Sequence, residues 1–148
     1  MKVGDVVDDF EALDQTGTPV RLSDLLLKGP VVLFFYPAAL TYGCTKEACH
    51  FRDLAAEFEA AGAQRVGISA DGVEKQARFD EKHGLGYPLL SDPDRTIAGQ
   101  FGVKRMGPLM NKRSTFVIGQ AGTLLREIAS ELSMDAHADE ALEALREA

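Results

Sequence analysis

The chain has only two cysteines and no long apolar run, and each scarcity removes a class of protein. Two cysteines cannot build the multi-bridge framework that holds small secreted domains together. The strongest apolar run, Val31 to Phe35, gives way to Tyr36 and Pro37, far short of the roughly 20 residues a membrane-spanning helix needs. The opening MKVGDVVDDF is acidic where a secretion signal would be apolar, so the expected location is the cytoplasm. Basic residues are outnumbered 16 to 23, and a formal charge of −7 argues against a nucleic-acid partner, which needs a basic stripe. Gly84-Leu85-Gly86 lacks the rest of a dinucleotide fingerprint and no phosphate-cradling loop is present, so no organic cofactor is expected.

What remains suffices for one domain. With 148 residues, 45% of them hydrophobic, the chain can bury a real core, and it shows no repeat, low-complexity tract or linker; residues 1–148 read as a single unit. Phe10 to Leu13 and Val20 to Leu22 flank Asp14-Gln15-Thr16-Gly17 as an N-terminal hairpin, and Ser23 is the expected cap of a short helix through Leu27. Val31 to Phe35 is a continuous apolar strand, the kind covered on both faces.

A helix is expected from about Cys44 to Ala61, stopped by Gly62, because Cys44, Ala48, Phe51, Ala55 and Phe58 share one face. Arg65 to Ser69 is a second core strand, Asp71 opens a helix through about His83, and Tyr87 to Leu90 is a short strand. Ser91 or Asp92 caps a helix around Arg95 to Phe101; Arg113 to Ile118 and Thr123 to Ile128 form a hairpin. A final helix begins near Ser133 or Asp135 and turns Ala138, Leu142 and Leu145 inward. Strands alternating with helices, then a hairpin, indicate an α/β sandwich around a mixed sheet.

The two cysteines hold the chemistry. In a reducing compartment such a pair is more often catalytic or metal-binding than structural, although two small buried side chains are the plain alternative. Cys44 falls in the first turn of its helix, just beyond the strand that Pro37 ends. Unpaired backbone N–H groups and the positive end of the helix dipole favour an anion there, and so the nucleophilic thiolate. Five residues of helix set Cys49 roughly 8.5 Å from Cys44 and about 140° around the axis. A disulfide needs Cα atoms within about 6.8 Å, so the two cannot bond while the helix is intact.

Pro37-x-x-x-Thr41-x-x-Cys44 resembles the peroxidatic motif of the peroxiredoxins. Cys44-Thr45-Lys46-Glu47-Ala48-Cys49-His50-Phe51-Arg52-Asp53 is similar to the peroxiredoxin Q, or bacterioferritin comigratory protein, branch. The likeness continues through Ser91-Asp92-Pro93-Asp94 and Phe101-Gly102-Val103 to Arg113-Ser114-Thr115-Phe116-Val117-Ile118.

The resemblance implies a thioredoxin-like fold and a thiol peroxidase without cofactor, acting on hydrogen peroxide and organic hydroperoxides. It implies that Cys44 is oxidised to a sulfenic acid, Thr41 positions the peroxide, Pro37 shields the thiolate from water, and Arg113 holds thiolate and peroxide. Glu47 would orient Arg113. Cys49 would resolve the sulfenic acid as an intramolecular disulfide after the helix unwinds, and thioredoxin or a similar dithiol protein would reduce it. A monomer is implied; a weak dimer through exposed loops would leave no mark in the sequence. Where the branch commonly reads Thr-Pro-Gly-Cys, this chain has Tyr42 in place of proline, which either frees the backbone before the helix or sets a phenol at the peroxide entrance.

Taken singly, each residue has a plainer reading: Pro37 a strand stop, Thr41 a helix cap, Arg113 a solvated strand-end charge, Cys49 a small residue on a helix flank. A metal centre from Cys44, Cys49 and His50 falls short of the four ligands of structural zinc, since His83 and His137 have no paired spacing. A disulfide exchanger would show Cys-x-x-Cys, which is absent. The rival from another class is a non-enzymatic peroxide sensor or redox-regulated holdase using the same thiols.

Overall fold

The computed structural model describes residues 1–107 and 109–147. Its elements run β1 (Glu11–Leu13), β2 (Pro19–Arg21), α1 (Leu22–Leu26), β3 (Val31–Phe35), α2 (Tyr42–Asp53), α3 (Ala55–Ala60) and β4 (Gln64–Ser69). They continue as α4 (Val73–His83), β5 (Leu89–Ser91), α5 (Thr96–Gln100), β6 (Ser114–Ile118), β7 (Leu124–Ala129) and α6 (Met134–Glu147). The seven strands form one mixed sheet in the order β2-β1-β5-β4-β3-β6-β7. β3, β4 and β5 are mutually parallel, while β6 runs antiparallel to β3 and the hairpin β1–β2 adds antiparallel strands beyond β5. This is the expected thioredoxin-like α/β arrangement. Among the described residues, no helix is long and apolar enough to cross a membrane.

Strand β3 lies near the middle of the sheet, and all five of its side chains are fully buried. Because successive strand residues point to opposite faces, Val32 and Phe34 pack with α2, α4 and α6, whereas Val31, Leu33 and Phe35 pack with Leu22, Ile97 and Phe101 on the other face. A strand covered on both sides reads as an unbroken apolar run. Phe34 stacks on Phe51 of α2 with ring centroids 4.1 Å apart, which seats α2 over the end of β3. Burying such a ring contributes about 1.5–3 kcal/mol.

The long helix expected over Cys44–Ala61 starts two residues earlier and is interrupted at Leu54, where φ is −94° and ψ 20°. The guanidinium of Arg65, on β4, donates to the Phe51 carbonyl at 2.9 Å, the acceptor that Ala55 would use in an uninterrupted helix. The apolar face survives the break, since Cys44, Ala48, Phe51 and Phe58 all remain buried.

Of the expected helix starts, Ser23 and Asp71 take other roles, while of Ser91 and Asp92 it is Asp92 that serves. Ser23 lies inside α1 and donates its hydroxyl to Asp9 at 2.8 Å; the Asp9 carboxylate also accepts the Ser23 N–H. Ser91 closes β5, and Asp92 alone takes the free N–H groups of Ile97 and Ala98 at the start of α5. Asp71 precedes α4, whose cap position is Gly72, and its carboxylate turns to the loop after β3.

Candidate active site

The chain leaves β3 at Phe35 and enters α2 at Tyr42. The loop between is held from below: Asp71 accepts the Ala39 N–H at 2.7 Å and the Ser69 hydroxyl at 2.7 Å. Ser69 in turn accepts from Gln76, whose carbonyl oxygen takes the Tyr36 hydroxyl. Leu40 sits in the left-handed region at φ 67°, a conformation that costs a branched side chain of order 1 kcal/mol and turns the loop into the helix. Thr41 is the N-cap residue and exposed; its hydroxyl donates to the Ala38 carbonyl at 2.6 Å, closing that turn. Pro37 is half-buried beside it. Cys44 is thus the third helical residue, in the first turn as expected, and only 1% exposed.

Arg113 reaches it through sheet register. Phe35 pairs with Ser114 in the antiparallel β3–β6 ladder, so Arg113, one residue ahead of β6, arrives where the chain turns toward Cys44. One terminal nitrogen, Nη2, donates to Cys44 Sγ at 3.3 Å, and the other, Nη1, donates to Glu47 Oε1 at 2.7 Å. Gly43 allows this approach, since a Cβ there would stand 3.3 Å from Nη2. Arg113 Nε is buried and, among the described residues, has no hydrogen-bond partner. The Arg113 backbone N–H is fixed by Glu131 at 3.0 Å, which also binds Arg105.

Burial works against the charge on Arg113, but Glu47 and Cys44 together outweigh it and hold the guanidinium more firmly protonated. Burial pushes the Glu47 carboxyl up to about 8 against the opposing pull of Arg113. Behind Glu47 lies His137 of α6, completely buried, with Thr115 of β6 beside it. Asp71, Thr115 and His137 sit at no spacing that marks them as site residues: Asp71 reads as a helix start and His137 as an unpaired histidine. The faint signals are a Ser-Thr pair heading an apolar strand and a histidine on the apolar face of α6.

A buried sulfur, a cation and a helix N-terminus meet here. Residues 3–126 match the model of the AhpC/TSA family. This chain is a member of that peroxiredoxin family. The crystal structure of peroxidoxin BcpB from Mycobacterium tuberculosis is 65% identical, superposes with a TM-score of 0.95, and is covered over 97% of its length by 99% of this chain. Peroxiredoxin Bcp of Bacillus subtilis is 38% identical over 154 residues, with 99% of this chain and 96% of that protein aligned. A bacterioferritin comigratory protein of Xanthomonas campestris, described for its alkyl peroxide reduction activity, is 32% identical with a TM-score of 0.84, over 93% of this chain and 90% of that one.

In this peroxiredoxin both cysteines are free, and both lie within α2: Cys44 buried, Cys49 half-buried. Tyr42 is 86% exposed, so its ring stands in solvent and lines no enclosed pocket. The second half of α2 is fastened from outside. Tyr87 donates its hydroxyl to the Ala48 carbonyl at 2.7 Å, Arg52 reaches the His83 carbonyl at 2.7 Å, and His50 meets Asp139 of α6 at 2.8 Å. Burial holds the Tyr87 phenol well above its ordinary value, keeping it a donor. Tyr87→Phe is expected to cost about 1 kcal/mol in urea unfolding.

Proposed function

We propose that this chain is a thiol peroxidase of the atypical two-cysteine kind, working as a cytoplasmic monomer of one domain. The observation that carries the reading is Arg113 Nη2 held 3.3 Å from a buried Cys44 sulfur at the start of α2. Cys44, as thiolate, attacks one peroxide oxygen. An S–O bond forms, the O–O bond breaks, and the departing hydroxide or alkoxide leaves as water or alcohol after taking a proton. Thr41 already donates to Ala38, so toward the substrate its oxygen is an acceptor for the peroxide O–H. Arg113 supplies fixed positive charge where negative charge develops on the oxygens. Pro37 narrows access of water. Hydrogen peroxide and organic hydroperoxides are both proposed substrates, the latter in line with the alkyl peroxide activity of the Xanthomonas relative.

Cys49 then attacks the Cys44 sulfenic sulfur, an S–S bond forms and water leaves. With both residues on one helix, ideal geometry keeps their Cα atoms roughly 8.5 Å apart, so the first turns of α2 must unwind. Resolution protects Cys44 from irreversible over-oxidation. Thioredoxin, or a protein dithiol like it, gives two electrons to the disulfide and becomes a disulfide itself. Intact mass after one equivalent of peroxide tests the sequence. The wild type should lose the mass of two hydrogens, and Cys49→Ser should gain one oxygen. Continued peroxide consumption with a thioredoxin system separates an enzyme from a sensor, which would stall after one oxidation.

A further inference from the structure

We propose that His137 is a positioning residue of this site: it and Glu47 hold one proton between them, which keeps the Glu47 carboxyl from competing with the Cys44 thiolate for the charge of Arg113. The inference rests on Cys44 being the peroxide-reactive thiol and adds a group that touches neither substrate nor sulfur.

The geometry favours a proton at this place. His137 Nε2 lies 2.8 Å from the Ser130 carbonyl, which can only accept, so Nε2 carries hydrogen. Nδ1 faces Thr115 Oγ1 at 2.8 Å and Glu47 Oε2 at 3.5 Å. Glu47 and His137 are both completely buried, and among the described residues Oε2 has no hydrogen-bond partner. The Thr115 hydroxyl can donate to Nδ1, which leaves an ionised Oε2 without a donor in a dry interior, where an unpaired polar group is most costly. One proton on the pair removes the conflict. Burial raises the Glu47 carboxyl and, as the largest influence, lowers His137, so the proton resides on Glu47.

The other charged groups near the pair are engaged. Arg113 enters from the head of β6, and Glu131, after β7, holds Arg105 and the Arg113 N–H. Glu140 of α6 binds Arg126 of β7 at 3.2 Å, and Asp139 of α6 binds His50 of α2 at 2.8 Å. From α2, Arg52 and Asp53 pair with each other and Lys46 is exposed, while Cys44 faces Arg113 directly. With the pair neutral, Arg113 faces the thiolate undivided. When pH rises through about 8, Glu47 gains full negative charge 2.7 Å from the guanidinium and draws it away.

The test is the pH profile of Cys44 oxidation by hydrogen peroxide in the Cys49→Ser protein, followed by stopped flow between about pH 5.5 and 9.5, with circular dichroism confirming the fold at each point. The rate should fall as pH rises through about 8. Glu47→Gln, which can accept from Arg113 and donate to Nδ1 but cannot ionise, should lose the falling limb. His137→Gln keeps a donor for Ser130 but removes Nδ1 and its hold on the protonated carboxyl. Its falling limb should move about one pH unit toward acid, a shift that uniform loss of structure cannot produce. A profile that climbs to a plateau and stays there through about pH 9.5 would overturn the inference. So would a His137→Gln profile scaled down with its shape unchanged. Should His137→Gln not fold, the other two profiles decide alone. No peroxide reaction at any pH would instead refute the assignment of Cys44.

Discussion

Cys44→Ser should abolish peroxide consumption, with a fall on the order of 10⁴-fold or more, the scale felt when an enzyme loses its nucleophile. A serine hydroxyl at this position remains protonated and far less nucleophilic than a thiolate, while the helix N-terminus and Arg113 stay where they are. The fold should persist. Cys44 is 1% exposed, and a buried hydroxyl needs a partner, but Arg113 Nη2 stands ready to donate to it. A stability change within about 1 kcal/mol is expected in urea. The paired control is Cys49→Ser, which should complete one oxidation at the wild-type rate and then fail to form a disulfide. Peroxide loss by Cys44→Ser at the speed of the wild type would end the proposed mechanism.

Much of this was legible in the sequence because its signals are local. β3 announces itself as an apolar run since both its faces are covered, and the helix carrying Cys44 shows a periodic apolar face that the break at Leu54 does not disturb. The constellation Pro37, Thr41, Cys44 and Arg113 could be named by resemblance, yet what joins Arg113 to Cys44 is the pairing of Phe35 with Ser114, a product of sheet order that no spacing encodes. The same holds for the residues that were missed. Asp71 looks like the start of a helix and instead anchors Ala39, because the parallel pairing of β3 and β4 ends both strands at the same level. His137 looks like an interruption of an apolar helix face, and it becomes the back wall of Glu47 only once α6 packs across α2. Arg65, read as the start of a strand, takes the Phe51 carbonyl and breaks a helix it is not part of. Long-range polar contacts of this kind depend on packing.

Arg113→Ala should slow oxidation of Cys44 by about 10²–10³-fold, the loss expected when one fixed donor is removed from developing charge. The helix N-terminus alone would then face the thiolate, and the peroxide would lose the partner that Arg113 Nε and Nη2 supply. The cost to the fold is limited by Glu47. Breaking a buried ion pair costs about 3–5 kcal/mol when a charge is left stranded. Here burial already lifts the Glu47 carboxyl to about 8, and removing the opposing pull of Arg113 lifts it further, so the group stays neutral in the variant.

The sign of the pH dependence follows. An acid whose folded value lies above its ordinary 4.5 binds its proton more tightly in the folded state, so its favourable contribution is complete below 4.5 and is lost as pH rises through the folded value. The stability gap between wild type and Arg113→Ala should therefore be small near pH 5 and wider near pH 8 or above, measured by urea unfolding. Arg113→Lys is the informative companion. It restores a positive charge but not the fork that spans Cys44 and Glu47 at once, so stability should recover more than rate. If Arg113→Ala oxidised as fast as the wild type while losing stability, Arg113 would be a structural tie between β6 and α2, and the charge on Cys44 would have to be managed by the helix alone.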